Sequence, residues 1–237
     1  MQNTALSIII PAYNEAERIR PTIEAYCSFF EKIYGSNFEL LTVLNGCVDN
    51  TRTVIESIAQ KHQQLQFIEF EDRLGKGGAI WEGLQAAKGK VLAFVDADNM
   101  VGPDETVKLI EALKDHDIAI ANRFSPDSKI LENQSFGRKL SSKLVRLWVK
   151  LMIGLPFSDT QCGAKALRLD VWKRISPQIR ERGWVFDLDF LNAAVRNEFS
   201  VGEIPVHWKH IAEGSKVRVI DAGKEVFFGS IRIRRRR

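Results

Sequence analysis

Short apolar runs alternate with amphipathic segments along the first half of the chain. The runs are rich in Leu, Ile, Val and Phe and end near Pro, Gly, Asn or Asp, which is typical of strands buried on both faces of a parallel sheet. The segments between them repeat apolar positions at helical spacing. The pattern predicts strands at 5–10, 38–44, 66–70, 90–95 and 117–121, and helices at 15–32, 51–62, 75–87 and 103–114. This alternation predicts an α/β fold with a mostly parallel, Rossmann-like sheet and helices on both of its faces.

The pattern changes after about residue 125, where a polar stretch leads into a long amphipathic segment at 136–155. The chain has 237 residues, which is enough for one large domain with a full core. We expect residues 1–125 and 126–218 to form two halves of one domain, followed by a basic amphipathic C-terminal segment at 219–237.

Composition narrows the class of protein. An apolar fraction of 45% and a charged fraction of 27% are ordinary for a globular protein. Cys27, Cys47 and Cys162 are odd in number and far apart, which argues against a disulfide framework or a zinc site and suits a reducing compartment. No segment resembles a signal peptide or has the length and apolarity to cross a bilayer. We therefore expect a cytoplasmic protein that is soluble or peripheral to a membrane.

Two acids, Asp96 and Asp98, follow directly after the most apolar predicted strand. In open α/β sheets, ligands bind beyond the carboxyl ends of the strands. Two carboxylates held together there repel each other unless a cation joins them, and a hard divalent ion with positions open for phosphate oxygens and water fits. The alternative is an ordinary acidic turn at a strand end.

Two loops between a strand and a helix are further candidates for ligand binding. The loop 75–78, Gly-Lys-Gly-Gly, lets a backbone approach a ligand at a helix N-terminus, or is a glycine turn with a solvated Lys. The loop 11–15, Pro-Ala-Tyr-Asn-Glu, is expected to reach the same crevice as Asp96, and Asn14 could equally be a helix cap. In a later segment, Asp187 and Asp189 could act as a base or orient a sugar hydroxyl, or could simply favour a helix dipole.

Together these segments resemble an enzyme family. The segment 11–15 after its strand, the Gly-Lys-Gly-Gly-Ala loop and Val-Asp-Ala-Asp resemble the family 2 glycosyltransferases of the GT-A fold. Later segments narrow the resemblance to polyprenyl-phosphate (dolichyl-phosphate) glucosyltransferases, which are relatives of dolichol-phosphate mannose synthase. These later segments are 159–165, 184–189, 203–208 and 213–216.

The resemblance implies an inverting transfer of a sugar from a nucleotide sugar to a lipid phosphate, with Mg²⁺ or Mn²⁺ bound by Asp96 and Asp98. UDP-glucose is the first expectation for the donor, while GDP-mannose and UDP-N-acetylglucosamine stay open. Residues 1–125 would bind the nucleotide sugar and 126–218 the acceptor. Because a phosphate monoester is largely ionised at neutral pH, it can attack without a protein base, which favours a positioning role for Asp187 and Asp189.

The resemblance also assigns individual residues to the two substrates. Arg123, Arg138 and Ser142 would serve the acceptor phosphate, since the planar fork of an arginine suits two phosphate oxygens. The residues implied for the nucleotide-sugar pocket are Pro11, Tyr13, Glu15, the loop from Asn45 to Asp49, Lys76, Asp96, Ala97 and Lys216.

This sequence departs from the family pattern at two positions. The family's Asp-Asp-Gly-Ser, in which an acid contacts the nucleotide base, is replaced by Leu-Asn-Gly-Cys at 44–47. Only the later acid of the pattern is kept, as Asp49, so the identity of the nucleotide base stays open. The mannose synthases have a polar residue where this chain has Met100. Either water completes the metal coordination there, or Gln161 reaches in.

The segment 136–155 reads as one helix with two distinct stripes. At about 100° per residue, four leucines share one face and four basic residues share an adjoining face. The helix could lie on an anionic membrane, or it could be a core-facing helix with a solvated basic face. The arginines at 234–237 could add attraction to a membrane, form a disordered tail or mark the cut edge of a longer protein. The stripes are Leu140, Leu144, Leu147 and Leu151, and Lys139, Lys143, Arg146 and Lys150.

Three other readings of the chain compete with a lipid-phosphate transferase. They are a transferase of the same fold with a soluble acceptor or a growing glycan, a silent nucleotide-sugar binder, and a nucleic-acid-binding protein. The last is disfavoured, because the aromatic residues are scattered and paired acids repel a phosphate backbone unless a metal is bound. We therefore expect no nucleic-acid partner.

Overall fold

A computed structural model describes residues 4–130, 136–208 and 219–236. Seven strands form one sheet in the order β3-β2-β1-β4-β7-β5-β8, and β6 and β9 form a separate parallel pair. The α/β class with a mostly parallel sheet, expected from the sequence, is confirmed. The strands are β1 (Leu6–Ala12), β2 (Phe38–Asn45), β3 (Leu65–Phe70), β4 (Val91–Phe94), β5 (Ile118–Asn122), β6 (Lys129–Ile130), β7 (Lys165–Arg168), β8 (Val201–Pro205) and β9 (His207–Trp208). The helices are α1 (Ile19–Tyr34), α2 (Thr51–Ala59), α3 (Lys76–Ala86), α4 (Pro103–Glu111), α5 (Phe136–Ile153), α6 (Leu169–Ile175), α7 (Phe186–Arg196) and α8 (Val219–Arg235).

Strand β7 lies in the middle of the sheet and is antiparallel to both of its neighbours, β4 and β5. The sequence pattern did not predict this strand, because Lys-Ala-Leu-Arg is short and carries no apolar run. Phe94 at the end of β4 pairs with Lys165 at the start of β7. The loop before β7 therefore runs beside the acids that follow β4, and the two predicted halves of the chain share one sheet.

Strand β1 continues through Pro11, where the sequence predicted it to end at residue 10. Its pairing with β4 stops at Ile9, which lies opposite Phe94, while its pairing with β2 continues to Ala12. Pro11 thus lies beyond the β4 ladder, where a missing N–H is tolerated.

The core has two layers, one on each face of the sheet. Ile8 and Ile10 of β1 face α1 and its neighbours, whereas Ile9 faces the layer that holds α3 and α7. In that second layer, Phe94 meets Phe190 edge to face, with 5.9 Å between the ring centroids. A fully buried side chain of this kind contributes about 2 kcal/mol. The sheet is therefore anchored on both faces, which fixes the strand ends that carry the candidate site.

Helix α8 packs on α5 and α7, so the C-terminal segment is not a disordered tail within the described residues. Val226 and Ile233 are buried. Trp148 of α5 stacks on Phe227 of α8 at 4.4 Å between ring centroids and donates a hydrogen bond to Ser230 Oγ at 2.8 Å. The C-terminal helix thus becomes part of the site wall described below.

Candidate active site

Two cavities meet at the Asp-Ala-Asp loop that follows β4. The first has a volume of about 460 Å³ and the second about 400 Å³. Lys76, Asp96, Asp98 and Trp184 line both cavities. A molecule in either cavity would therefore contact the same pair of acids.

Helix α1 holds this loop in place. Thr22 Oγ1 donates a hydrogen bond to the carbonyl oxygen of Ala97 at 2.8 Å, and the Tyr26 hydroxyl donates to that of Val101 at 2.8 Å. Both donors are buried, so the bonds are shielded from water. The position of the two acids is thus set by α1 as well as by the end of β4.

The two acids differ in their partners. Asp96 pairs with Lys76, whose Nζ lies 2.7 Å from Asp96 Oδ1. Within the part of the chain that the structure describes, the Asp98 carboxylate accepts one hydrogen bond, from the backbone N–H of Met100 at 3.1 Å. Burial and the nearby Asp96 raise the pKa of Asp98 to about 6. Burial alone would lower the pKa of Lys76, but Asp96 and Asp187 outweigh it and the pKa is raised.

The arrangement fits a divalent cation of the Mg²⁺ or Mn²⁺ type. Within residues 4–130, 136–208 and 219–236, no group of three or more His, Cys, Asp or Glu side chains forms a complete metal site. A hard ion that binds to a phosphorylated ligand needs only one or two protein carboxylates, since phosphate and water supply the rest. Gln161 lines the second cavity with both acids, which keeps it a candidate for one further position.

The first cavity brings together most of the residues expected around a nucleotide. Pro11, Tyr13, Glu15, Asn45 and Ala97 all line it, with Lys76 and Asp96. Asp49 does not line it. Instead, its carboxylate accepts hydrogen bonds from the backbone N–H groups of Thr51 at 3.0 Å and Ala16 at 3.2 Å, so it ties the first residue of α2 to the loop before α1.

The sequence pattern did not single out two arginines of this cavity, Arg18 and Arg73. The Arg73 guanidinium lies over the Tyr13 ring, 4.1 Å from its centroid, and Arg18 forms a forked ion pair with Glu15. Neither belongs to a motif. Only the tertiary contact between the β3–α3 loop and the β1–α1 loop makes Arg73 a lining residue.

Asn45, which stands where the family pattern has an acid, holds the glycine loop. Its Oδ1 accepts a hydrogen bond from the Leu74 N–H at 2.6 Å, and its Nδ2 donates to the Gly75 carbonyl oxygen at 3.2 Å. Both ends of the amide are therefore committed to the backbone of the loop that precedes α3.

The expectation that the glycines of this loop approach a ligand is wrong for two of them. The N–H groups of Gly77 and Gly78 donate to the carbonyl oxygens of Gly183 at 3.3 Å and Arg182 at 2.5 Å. A Cβ on Gly77 would overlap the side chain of Phe186. These glycines thus allow the chain before α7 to pack on the start of α3. Gly75 lines the first cavity, and Lys76 lines both cavities.

Arg123 lines the second cavity but is already paired. Its guanidinium forms a two-pronged ion pair with Asp159, with Nε–Oδ2 at 2.8 Å and Nη2–Oδ1 at 2.9 Å. Its backbone N–H also donates to Asp159 Oδ2 at 2.9 Å. One edge of the guanidinium, through its Nε and Nη2 atoms, is therefore used inside the protein, and the expected role toward an acceptor phosphate stays a prediction.

Asp187 and Asp189 have different surroundings. Asp187 lines the second cavity, and its Oδ1 accepts a hydrogen bond from the fully buried Lys165 Nζ at 2.5 Å. Asp189 lines neither cavity. Its Oδ2 accepts from the N–H groups of Arg180 at 2.7 Å and Glu181 at 3.0 Å, so it fixes the loop before α7.

Arg146, which the sequence placed on a basic stripe adjoining the leucines, lines the second cavity. The side chains of Arg138 and Ser142, and residue Lys216 as a whole, lie outside the described part of the chain. Their expected contacts with the substrates therefore stay predictions.

An apolar surface lies beside the second cavity, on the helices that form its wall. Val145 and Arg146 of α5 and Val226 of α8 line the cavity. On the same helices, five apolar side chains are exposed. The three described leucines of the α5 stripe are among them, so the alternative that this stripe faces the core is wrong for these three. The five side chains are Leu144 (58%), Leu147 (55%), Leu151 (68%), Phe227 (41%) and Phe228 (57%). Among the residues searched, no helix has the length and apolarity that a membrane span needs.

Sequence comparison finds relatives over most of the chain. The model of glycosyl transferase family 2 matches residues 7–169. A dolichyl-phosphate beta-glucosyltransferase of Saccharomyces cerevisiae is 29% identical over 90% of this chain and 69% of its own length, and one of Drosophila melanogaster is 30% identical over the same shares. The glycosyltransferase AglD of Haloferax volcanii is 28% identical over 86% of this chain, which spans 33% of that relative.

Solved structures share the fold at low sequence identity. Glucosyl-3-phosphoglycerate synthase of Mycobacterium tuberculosis, in complex with Mn²⁺, UDP and glucosyl-3-phosphoglycerate, has a TM-score of 0.70 at 15% identity and covers 98% of this chain and 80% of its own. TarS of S. aureus, in complex with UDP-GlcNAc, has a TM-score of 0.63 at 18% identity and covers 97% of this chain and 65% of its own. At these identities the likeness shows the fold alone.

Proposed function

The chain belongs to glycosyl transferase family 2, and we propose that it transfers a sugar, with glucose from UDP-glucose as first choice, to a polyprenyl or dolichyl phosphate at a membrane surface. The single observation that carries the proposal is the arrangement of the two cavities. They share Asp96 and Asp98, and the second is walled by the two helices that expose apolar side chains. A charged headgroup could thus reach the acids while its hydrocarbon chain stays at the protein surface.

The first cavity is proposed as the nucleotide-sugar site. Tyr13 and Arg73 offer a stacked aromatic and guanidinium pair, which suits the flat face of a nucleobase. Lys76 and the two acids line the same cavity and are proposed to face a diphosphate bound through a metal. When bound, the metal ion neutralises the charge that develops on the leaving diphosphate.

The transfer itself needs little from the protein beyond positioning. An oxygen of the acceptor phosphate forms a bond to the anomeric carbon of the sugar. The bond from that carbon to the diphosphate oxygen breaks, and its electron pair leaves with the nucleoside diphosphate, which inverts the carbon. A phosphate monoester is mostly dianionic at neutral pH, since its second pKa is about 6. We therefore assign Asp187 to holding sugar hydroxyls rather than to proton transfer, and Asp189 to structure alone.

The names of the relatives support glucose and dolichyl phosphate as the substrate pair, since the yeast and fly proteins are both named dolichyl-phosphate beta-glucosyltransferases. The exposed leucines of α5 support attachment to a membrane surface. The three cysteines are unpaired, which supports the cytoplasmic, reducing side of that membrane.

A panel of nucleotide sugars with polyprenyl phosphate tests the proposal. We expect transfer from UDP-glucose with Mn²⁺ or Mg²⁺, loss of turnover in EDTA, and near loss in Asp98→Ala. Asp115→Asn, which removes an exposed carboxylate away from both cavities, should behave as wild type. Transfer to soluble glycans but not to lipid phosphate would contradict the proposal that the acceptor is a lipid phosphate. Full activity of Asp98→Ala in chelator would reject the metal.

A further inference from the structure

Among the described residues, the second cavity contains one arginine that no carboxylate neutralises. Three of its acids each have a cationic partner, Lys76 for Asp96 at 2.7 Å, Arg123 for Asp159 at 2.8 Å, and Lys165 for Asp187 at 2.5 Å. Among the described residues that line the cavity, this leaves the carboxylate of Asp98 and the guanidinium of Arg146 without an opposite charge within ion-pair distance. Asp98 faces the proposed metal, so the remaining positive charge can accept an anion.

Arg146 is held for such a role by an aromatic ring. The carbon at the centre of its guanidinium lies 3.8 Å from the centroid of the Phe124 ring. Stacking of this kind fixes the plane of the fork and leaves its N–H edges free to donate. The Nε of Arg146 is buried and has no hydrogen-bond partner among the described residues. A buried donor without a partner is uncommon in a folded protein, and an anionic ligand in the cavity would satisfy it.

The position of Arg146 also matches a lipid-linked anion. It belongs to α5, on which Leu144 and Leu147 are more than half exposed. The next residue toward the N-terminus, Val145, lines the same cavity. An anionic headgroup on Arg146 would therefore have an apolar path beside it for the chain to which it is attached.

We propose that Arg146 binds the phosphate of the acceptor, and that Arg123 is a positioning residue that Asp159 holds near the same aromatic ring. This inference rests on the proposed function, of which it names the acceptor-phosphate site. Arg123 lies 5.5 Å from the Phe124 centroid, so the two arginines share that ring. The two-pronged pair with Asp159 neutralises Arg123, whereas the charge of Arg146 stays available to a dianion.

Binding measurements on soluble probes test the assignment without requiring turnover. The probes are farnesyl phosphate, farnesol and inorganic phosphate, each titrated into the protein with Mn²⁺ and UDP present. Arg146→Gln should lower the affinity for farnesyl phosphate at least tenfold and leave the affinities for farnesol and UDP unchanged. The affinity of Arg146→Lys for farnesyl phosphate should lie between those of wild type and Arg146→Gln, because a lysine keeps the charge but not the stacked guanidinium. The matched control is Arg174→Gln, which removes an exposed arginine of α6.

The outcomes separate this inference from the proposed function. If Arg146→Gln binds farnesyl phosphate as tightly as Arg174→Gln does, Arg146 is not the phosphate site. The same conclusion follows if Arg146→Gln lowers the affinity for farnesol as much as the affinity for farnesyl phosphate. If inorganic phosphate displaces farnesyl phosphate from wild type, the anion is the shared feature, as we infer. A wild-type protein that binds farnesyl phosphate through Arg146 but transfers no sugar to it would overturn the proposed function and keep the anion site. In an active enzyme, Arg146→Gln should raise KM for the lipid phosphate more than it lowers kcat.

Discussion

A methyl group on Gly163 would overlap the carboxylate of Asp96. The two residues meet because Phe94 pairs with Lys165 in the antiparallel ladder between β4 and β7, which brings the loop before β7 against the acids after β4. Position 163 therefore requires glycine, because any side chain there would displace the Asp96 carboxylate. The Asp-Thr-Gln-Cys-Gly segment thus shapes the proposed metal site through its backbone.

We predict that Gly163→Ala moves the Asp96 carboxylate and lowers turnover by about 100-fold, since misplacement by about 1 Å has costs of that order. The affinity for Mn²⁺, measured by calorimetry, should fall with it. Gly223→Ala is the control for metal binding alone, because Gly223 lines the second cavity but a Cβ at that position meets no atom within 4 Å and so cannot displace Asp96. Unchanged Mn²⁺ affinity in Gly163→Ala would show that the contact is irrelevant to the site.

The Arg123–Asp159 pair predicts a stability difference that depends on pH. Burial acts to raise the pKa of Asp159, but the charge and hydrogen bonds of Arg123 outweigh it and the pKa is lowered. A carboxyl group whose pKa is lowered by folding stabilises the protein above its unfolded value, near 3.9, and loses that contribution as pH falls through the folded value. Asp159→Asn should therefore lower the unfolding free energy by about 3 kcal/mol at pH 7, because it leaves a largely buried guanidinium unpaired.

This difference between wild type and Asp159→Asn should shrink as the pH falls below about 3.9, because the carboxyl group is protonated first in the unfolded chain and only at lower pH in the folded protein, where its pKa is lowered. Urea denaturation at pH 7 and at pH 3 provides the comparison. A difference that is equal at both values would mean that the ion pair is not its source.

The buried Lys165–Asp187 pair is predicted to be needed for folding stability. Lys165 is fully buried, and its Nζ also donates to the Cys162 carbonyl oxygen at 2.7 Å. Lys165→Met would leave a buried carboxylate unpaired and should lower the unfolding free energy by about 3 to 5 kcal/mol. Lys88→Met removes an exposed partner that lies 4.0 Å from Glu39 and should cost less than about 1 kcal/mol. Similar losses in the two variants would contradict the prediction.

The exposed leucines of α5 are predicted to hold the protein on anionic vesicles. Replacing Leu144, Leu147 and Leu151 together by Gln removes apolar contacts worth about 1 kcal/mol each, so pelleting with vesicles should fall at least tenfold. Turnover of a short, detergent-soluble lipid phosphate should persist. Ile33→Gln is the control, since Ile33 is 52% exposed on α1, away from this surface.

Salt separates the apolar and electrostatic parts of this attachment. At 1 M salt the screening length is about 3 Å, so part of the wild-type binding should be lost, and neutral vesicles should hold the protein more weakly at any salt. Arg146 is left out of this test because it lines the second cavity. If the triple Gln variant pellets like wild type, the leucines of α5 face something other than lipid.

The sequence alone determined most of the fold and the centre of the candidate site. Apolar runs and helical spacing are local properties, so the strands from β1 to β5 and helices α1 to α5 appear close to their predicted limits. The position of Asp96 and Asp98 was also predictable, because acids that directly follow a buried strand must lie at the carboxyl edge of the sheet.

Only the tertiary structure decided which residues meet those acids. Strand β7 enters the sheet between β4 and β5 against the parallel pattern, and no local signal in Lys-Ala-Leu-Arg specifies that pairing. Charge pairing is decided at the same level. Arg123 and Arg146 both lie over the Phe124 ring, and their proposed roles differ because Asp159 forms an ion pair with Arg123. Such contacts join residues far apart in the chain, and their energies depend on distances and burial that no pattern of neighbouring residues contains.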